Sequence, residues 1–491
     1  MRKVLFGAVF GLLLLYLVLL IPSTESSPPR GAGQRPFLWN QDQRWAALEH
    51  RFLQARLVGC RGTSATIDSG LVNGQHLLAA LSSQPFRAAD PLFDTLEQVI
   101  FNLGPPVAAC QTRLQEYLDF VTRMRSAVKD QSLRWDMGAL EVRQRMYRLL
   151  YGGRAAVEEV LLQAPYGTFP PLTLAYGEPS ATPSTTLLGV PIHSGDILVS
   201  RGGAPTSALI ARGNDYPGNF SHVALVYVDD STRSASIVEA HIERGVAIAT
   251  PEEYLKDVKL RLMILRLRAD LSFMKSDPLL PHRAARAALE RARARHTPYD
   301  FAMDFHDTTR LFCSEVASTP YRANGVTLWM GLSSISTPGV VSWLSGFGVR
   351  HFDTEEPSDL EYDPQLRIVA EWWDPETLFK DHIDNAAIDA LLEGAEKGEK
   401  LEYSWYLLPA GRIMKLYSGI LNLLGYDGPV PEGMSAEAAL RNLWFSTRHK
   451  AITQRVLQYV SESTARTGYR PPYWELVALA RRSKSELYSS R

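Results

Sequence analysis

Apolar residues recur at intervals of three and four through much of residues 37–165. The pattern is plainest in FLWNQDQRWAALEHRFLQARLV, PPVAACQTRLQEYLDFVTRMRSAV and GALEVRQRMYRLLYGGRAAVEEVLLQA. That interval is the period of an α-helix with one buried face, so the stretch predicts a helical hairpin or small bundle. Residues 166–187 are rich in Pro, Thr and Ser and read as a boundary or surface excursion. Short apolar runs bounded by turn residues follow, and runs of that kind predict strands. They lie in GDILVSRGG, at 221–228 in SHVALVYVDD, on both sides of a turn near Arg244-Gly245, at 260–268 and at 366–373. LPHRAARAALERARARH, 280–296, returns to the helical period, with Arg286 and Glu290 spaced to pair across one turn. The middle of the chain is therefore expected to be α+β with several antiparallel strands. From about residue 400 the pattern is mixed and mainly helical.

The amino terminus differs from all of this. Met-Arg-Lys precedes 18 apolar residues at 4–21, and PSTESSPPRGAGQRP follows. As a helix the run would span roughly 27 Å, close to the thickness of a bilayer core. It reads as a signal peptide or a membrane anchor. Its length and the lack of a small-residue cleavage site favour the anchor. Either reading puts the bulk of the chain outside the cytoplasm, on the periplasmic side in a Gram-negative cell. The expected organisation is a signal peptide or anchor at 1–21, a linker at 22–36, a helical region at 37–165, an α+β domain at 188–385 and a C-terminal extension at 400–491.

Composition narrows the chemistry. A net charge of -1 gives no general argument for nucleic acid. The basic helix at 280–296 reads as a solvated face. Three cysteines, at 60, 110 and 313, form at most one pair, which excludes a disulfide framework. Cys60–Cys110 would leave Cys313 free; three buried thiols is the other reading. No H-E-x-x-H or C-x-x-C spacing occurs, so neither a metal nor a cofactor is expected.

Two features carry candidate chemistry. DDSTRS breaks two strands with a turn centred near Asp230-Ser231, which places His222 opposite Glu239. Paired residues share a sheet face, and a carboxylate there holds an imidazole in one tautomer and raises its basicity. Cys313 stands in TTRLFCSEVAST, which reads as a helix start with Thr308 or Thr309 as cap. A helix N-terminus lowers a thiol pKa, and its amides can stabilise an oxyanion. Nucleophile, base and orienter make a hydrolytic set that recurs on unrelated folds. Glu315, about 200° round the helix from Cys313, is expected to cap or pair rather than to touch the thiol. His241 shares the strand face of Glu239 and is a substitute base if the register differs; His306 is a weaker neighbour.

In this order the pieces resemble the permuted papain-like hydrolases of the NlpC/P60 superfamily, in particular the YaeF/YiiX (YiiX/YebB-like, C92-type) group. The matching pieces are GDILVS at 195–200, FSHVALVYVD at 220–229, IVEAHIERGVAI at 237–248, YDFAMDF at 299–305 and LFCSEV at 311–316. RIVAEWWDPETL at 367–378 is similar to the closing strand and turn of such domains. In that group the histidine strand precedes the cysteine helix, as here. The resemblance implies a circularly permuted papain-like domain with Cys313 as nucleophile, His222 as base, Glu239 as orienter and Tyr299 lining the cleft. It implies acyl transfer on a peptide, amide or acylated small molecule, with cell-envelope peptides as one candidate. The same residue set serves a lipid-directed thioesterase or acyltransferase, and the fold also accommodates a non-catalytic envelope ligand-binding protein.

Overall fold

The helical period at the start of the chain folds as a run of helices. They are α1 (Arg2–Leu19), α2 (Asp42–Ser83), α3 (Pro91–Ala109), α4 (Leu114–Ser132), α5 (Leu140–Met146) and α6 (Gly152–Leu162). The computed structural model describes residues 2–23, 29–37, 42–164, 171–175, 177–424 and 426–488. Parts of the expected linker (24–28), of the first expected helical stretch (38–41) and of the Pro/Thr/Ser-rich passage (166–170 and 176) lie outside the described residues. Asp90 caps α3 by accepting from the Leu92 amide at 2.9 Å. Phe93, Ile100, Tyr117, Phe120, Met124 and Leu150 fill the core between these helices. A disulfide ties Cys60 of α2 to Cys110 after α3, and Cys313 is the free cysteine.

The rest of the chain builds a sheet and its covering. In order come β1 (Leu172–Ala175), β2 (Ser184–Leu187), β3 (Val190–His193), β4 (Ile197–Gly202), α7 (Pro205–Arg212), β5 (His222–Val228), β6 (Ala235–His241) and β7 (Gly245–Ala249). Then follow α8 (Pro251–Lys256), β8 (Lys259–Leu267), α9 (Ser272–Ser276), α10 (Leu280–Ala294), α11 (Glu315–Ala323), β9 (Ser333–Ser334), α12 (Pro338–Phe347) and β10 (Asp353–Thr354). The chain ends with β11 (Leu366–Trp373), α13 (Pro375–Glu396), α14 (Leu408–Leu423), α15 (Ala436–Thr467) and α16 (Tyr473–Tyr488). Seven strands form one antiparallel sheet in the order β1-β11-β8-β4-β5-β6-β7. Side chains alternate across it. Val199, Val223, Leu225 and Met263 pack against α10 and α11, while Leu198, Ala224, Val226 and Ile264 pack under the β2–β3 pair. This is the α+β, permuted papain-like architecture, with its helical region preceding the sheet.

The helical region is not a separate arm. Buried ion pairs lock it to the sheet domain: Arg125 of α4 meets Glu361 and Glu371, each at 2.7 Å. Arg154 of α6 meets Glu361 at 2.9 Å, and Arg261 of β8 donates to Glu158 of α6 at 2.8 Å. Lys129 donates to the Glu361 carbonyl at 2.7 Å, and burial pulls its pKa down to about 7.

Three expectations are corrected. Helix α1 has 18 residues and opens on Arg2 and Lys3, which leaves an apolar length of roughly 24 Å, short of a bilayer core. Among the described residues no helix is long and apolar enough to cross a membrane. The membrane anchor, the membrane contact through the N-terminal segment and the membrane-anchored localisation drawn from them are set aside on that finding. Helix α1 lies against α14 instead, with Arg412 donating to the Leu19 carbonyl at 3.1 Å. The β5–β6 register pairs Ala224 with Glu239, two residues from the expected pairing. The cause is the turn: Asp229 accepts from the amides of Ser231 and Thr232, and Arg233 takes a φ of 58°, so the loop closes later than its polar residues suggested. Finally, Arg286 pairs with Asp230 at 2.7 Å across to the β5–β6 turn, not with Glu290 along its helix.

Candidate active site

A two-residue shift preserves strand parity, so His222 and Glu239 still share a face. Glu239 takes a position between two imidazoles. One carboxylate oxygen lies 2.9 Å from His222 Nε2 and the other 2.9 Å from His241 Nε2. Continuing the register places His241 opposite His222, and their ring centroids are 5.6 Å apart. Burial would push the Glu239 carboxyl up, but hydrogen bonds from His222 and His241 outweigh it and hold the group well below the usual range. For His222 burial dominates and lowers the pKa, against the opposing pull of Glu239. The resting imidazole is therefore neutral at pH 7. With Nε2 engaged by Glu239, Nδ1 is the nitrogen left for other chemistry.

Cys313 arrives from the other side of the sheet. It precedes α11, whose cap residue is Ser314, so it lies just before the first turn and not within it. Its sulfur donates to the Ser221 carbonyl at 3.8 Å, at the peptide bond that joins Ser221 to His222. Ala240, Tyr299, Phe312 and Val316 enclose it. Burial pushes the thiol up to about 12, although the amides of Val223 and Ser314 favour the thiolate. Only the Ser314 amide belongs to the helix start, the Val223 amide coming from β5, and desolvation outweighs both.

Of the other residues, Tyr299 stands against Cys313 in the same cluster and lines a cavity of about 90 Å³ with Ile242, Phe301, Met303, Glu356 and Met434. Glu315 reaches back to the Phe312 amide at 2.9 Å and closes the turn that presents Cys313; burial pushes its carboxyl up to about 9. His306 is on an exposed loop and packs on Phe305, with ring centroids 4.4 Å apart.

Two features escaped the sequence. Glu356 is 3% exposed, one carboxyl oxygen has no hydrogen-bond partner among the described residues, and burial raises its pKa well above the usual range. Nothing in TEEPS distinguishes it from a surface acid. The second is a strap from the C-terminal extension. Val430 and Met434 pack on Ile242 and Phe301, and Gly433, with φ +82°, passes so close that an added Cβ would lie 3.2 Å from the Phe301 ring.

Sheet order, histidine strand before cysteine turn, and the clustering of these residues define a permuted papain-like domain. Residues 191–370 match the family described as "Permuted papain-like amidase enzyme, YaeF/YiiX, C92 family". Among solved structures, one match is described as "Crystal structure of metalloprotein yiiX from Escherichia coli O157:H7, DUF1105". It is 19% identical, covers 37% of this chain and 98% of that one, and has a TM-score of 0.28. No curated protein matches the chain.

Proposed function

We propose that the chain is a cysteine-dependent amide hydrolase in which Cys313 is the nucleophile, His222 the base and Glu239 the residue that orients His222. The observation that carries the assignment is the half-buried His222–Glu239 bond at 2.9 Å beside a free cysteine whose sulfur touches the peptide bond preceding that histidine. In the resting site both thiol and imidazole are neutral. Substrate binding must turn the sulfur from the Ser221 carbonyl toward Nδ1 of His222, where its proton goes as the sulfur attacks the amide carbon. Apo geometry of this kind tightens in the substrate complex. The protonated imidazole then delivers that proton to the leaving amine. A water, deprotonated by His222, attacks the thioester, releasing the acid and restoring the thiol. Glu239 fixes the tautomer and stabilises the imidazolium throughout. Tyr299 and the small cavity beside it would receive the acyl side.

The test is trapping of the acyl-enzyme. A panel of p-nitrophenyl acyl esters is mixed with the protein and its intact mass is followed. An acyl adduct localised to Cys313, absent in Cys313→Ala and formed at least tenfold more slowly in His222→Ala, supports the assignment. An adduct elsewhere, or one formed equally fast in His222→Ala, refutes it.

A further inference from the structure

A second cavity, larger than the one beside Tyr299, lies away from Cys313. It has a volume of about 530 Å³ and shares only Ile335 with the small cavity beside Tyr299. It opens where α2, α3 and α6 of the helical region meet α13 and α16. Sites for small molecules fall in this size range and favour such junctions. Part of its wall is aromatic: Trp45 and Trp474 stack with centroids 5.5 Å apart, joined by Phe52 and Tyr473.

The charges around it are unevenly matched. Glu158 is paired with Arg154 and Arg261, Asp389 with Arg212, and Glu393 with Arg481. Glu49 and Glu159 have no arginine or lysine partner among the described residues. Glu49 accepts from the Tyr469 hydroxyl at 3.0 Å and from Trp474 Nε1 at 3.1 Å. Glu159 accepts from the Tyr473 amide at 3.0 Å and lies 3.6 Å from His382, which Glu158 also claims at 3.2 Å. Burial raises the pKa of Glu159, and the charges of Glu158 and Glu49 push it the same way. A further acceptor on the wall is idle: the amide oxygen of Gln163 is buried without a hydrogen-bond partner among the described residues. Two carboxylates lacking a cation, an unused acceptor and aromatic faces describe one kind of occupant.

We propose that this cavity binds a primary ammonium ion carried on an apolar body, with its head between Glu49 and Glu159 and its body against Trp45 and Trp474. The ammonium supplies the missing positive charge and donors for Gln163, and the aromatic faces take both the cation and the chain. The proposal does not depend on the chemistry at Cys313.

Calorimetric titration of the full chain with octylammonium, octanol and octanoate at pH 7 tests it, with tryptophan fluorescence as a second readout. Octylammonium is expected to bind at least tenfold more tightly than octanol, and octanoate most weakly. Glu49→Gln/Glu159→Gln should reduce the two affinities to the same value, and Trp474→Leu should weaken both. Cys313→Ala should bind like the wild type, which separates this site from the hydrolytic one. Melting curves confirm that each variant is folded. The proposal is overturned if octanol or octanoate binds as tightly as octylammonium, if the double carboxamide variant keeps the preference, or if none of the three binds.

Discussion

Glu239→Gln isolates the part of the site that the structure defines best. The wild-type carboxylate is 1% exposed and accepts from two imidazoles at 2.9 Å each. The amide keeps shape and volume but loses the charge. A hydrogen bond to a charged group contributes about 1.5–3 kcal/mol. The bond to His222 is the one that strengthens as the imidazolium forms, so kcat/KM should fall roughly 10- to 150-fold, at 1.36 kcal/mol per factor of ten. The pH profile gives an independent check. The acidic limb reports protonation of His222, whose pKa is lowered by burial and partly restored by Glu239. Removing the carboxylate removes the upward pull, so the limb should move to lower pH while the plateau drops. Initial rates on the ester that acylates fastest, from pH 4 to 9, measure both. Activity within threefold of wild type, or an acidic limb that stays put or moves up, would refute the assignment of Glu239 as the residue that tunes His222.

Further outcomes follow from the same structure. With the thiol pushed up to about 12 by burial, iodoacetamide should modify Cys313 more slowly than a free thiol at pH 7, with a rate still rising at pH 9; a plateau near neutrality would show a resting thiolate. Gly433→Val places a side chain in a left-handed conformation against Phe301 at a cost of about 1–2 kcal/mol, and should loosen the strap and speed that alkylation several-fold; an unchanged rate means the strap does not shield the thiol. Glu361→Ala strips a shared partner from buried Arg125 and Arg154 and should cost about 3–5 kcal/mol in urea unfolding; a loss under 1 kcal/mol means the clamp is not structural. Replacing Cys60 and Cys110 by Ala opens a loop of 50 residues and should cost up to about 4 kcal/mol by chain entropy, read as a lower urea midpoint.

Much of the sheet was legible because its strands are short apolar runs between turn residues. The starts and ends of β5, β8 and β11 fall within about a residue of those expected from the pattern. Strand β1 was not legible: it pairs with β11 at the sheet edge, from within a passage whose Pro, Thr and Ser content signals a boundary. His222 and Glu239 were found as neighbours by a turn argument whose register was two residues out. Parity made the error harmless for the face, but it hid His241 as the second partner of Glu239.

By itself the sequence determined the identity and order of the candidate groups: a cysteine late in the chain, a histidine and a glutamate on earlier neighbouring strands, and helices before and after. Those follow from local periodicity, which is a property of consecutive residues. Tertiary structure alone decided the thiol's protonation, because burial by Tyr299, Phe312 and Val316 outweighs the amides of Val223 and Ser314. It also decided that Glu361, Glu371 and Asp381 would be locked in buried ion pairs while Glu356 would be buried without one among the described residues. Desolvation and charge pairing depend on which distant segments meet, and no spacing along the chain encodes that.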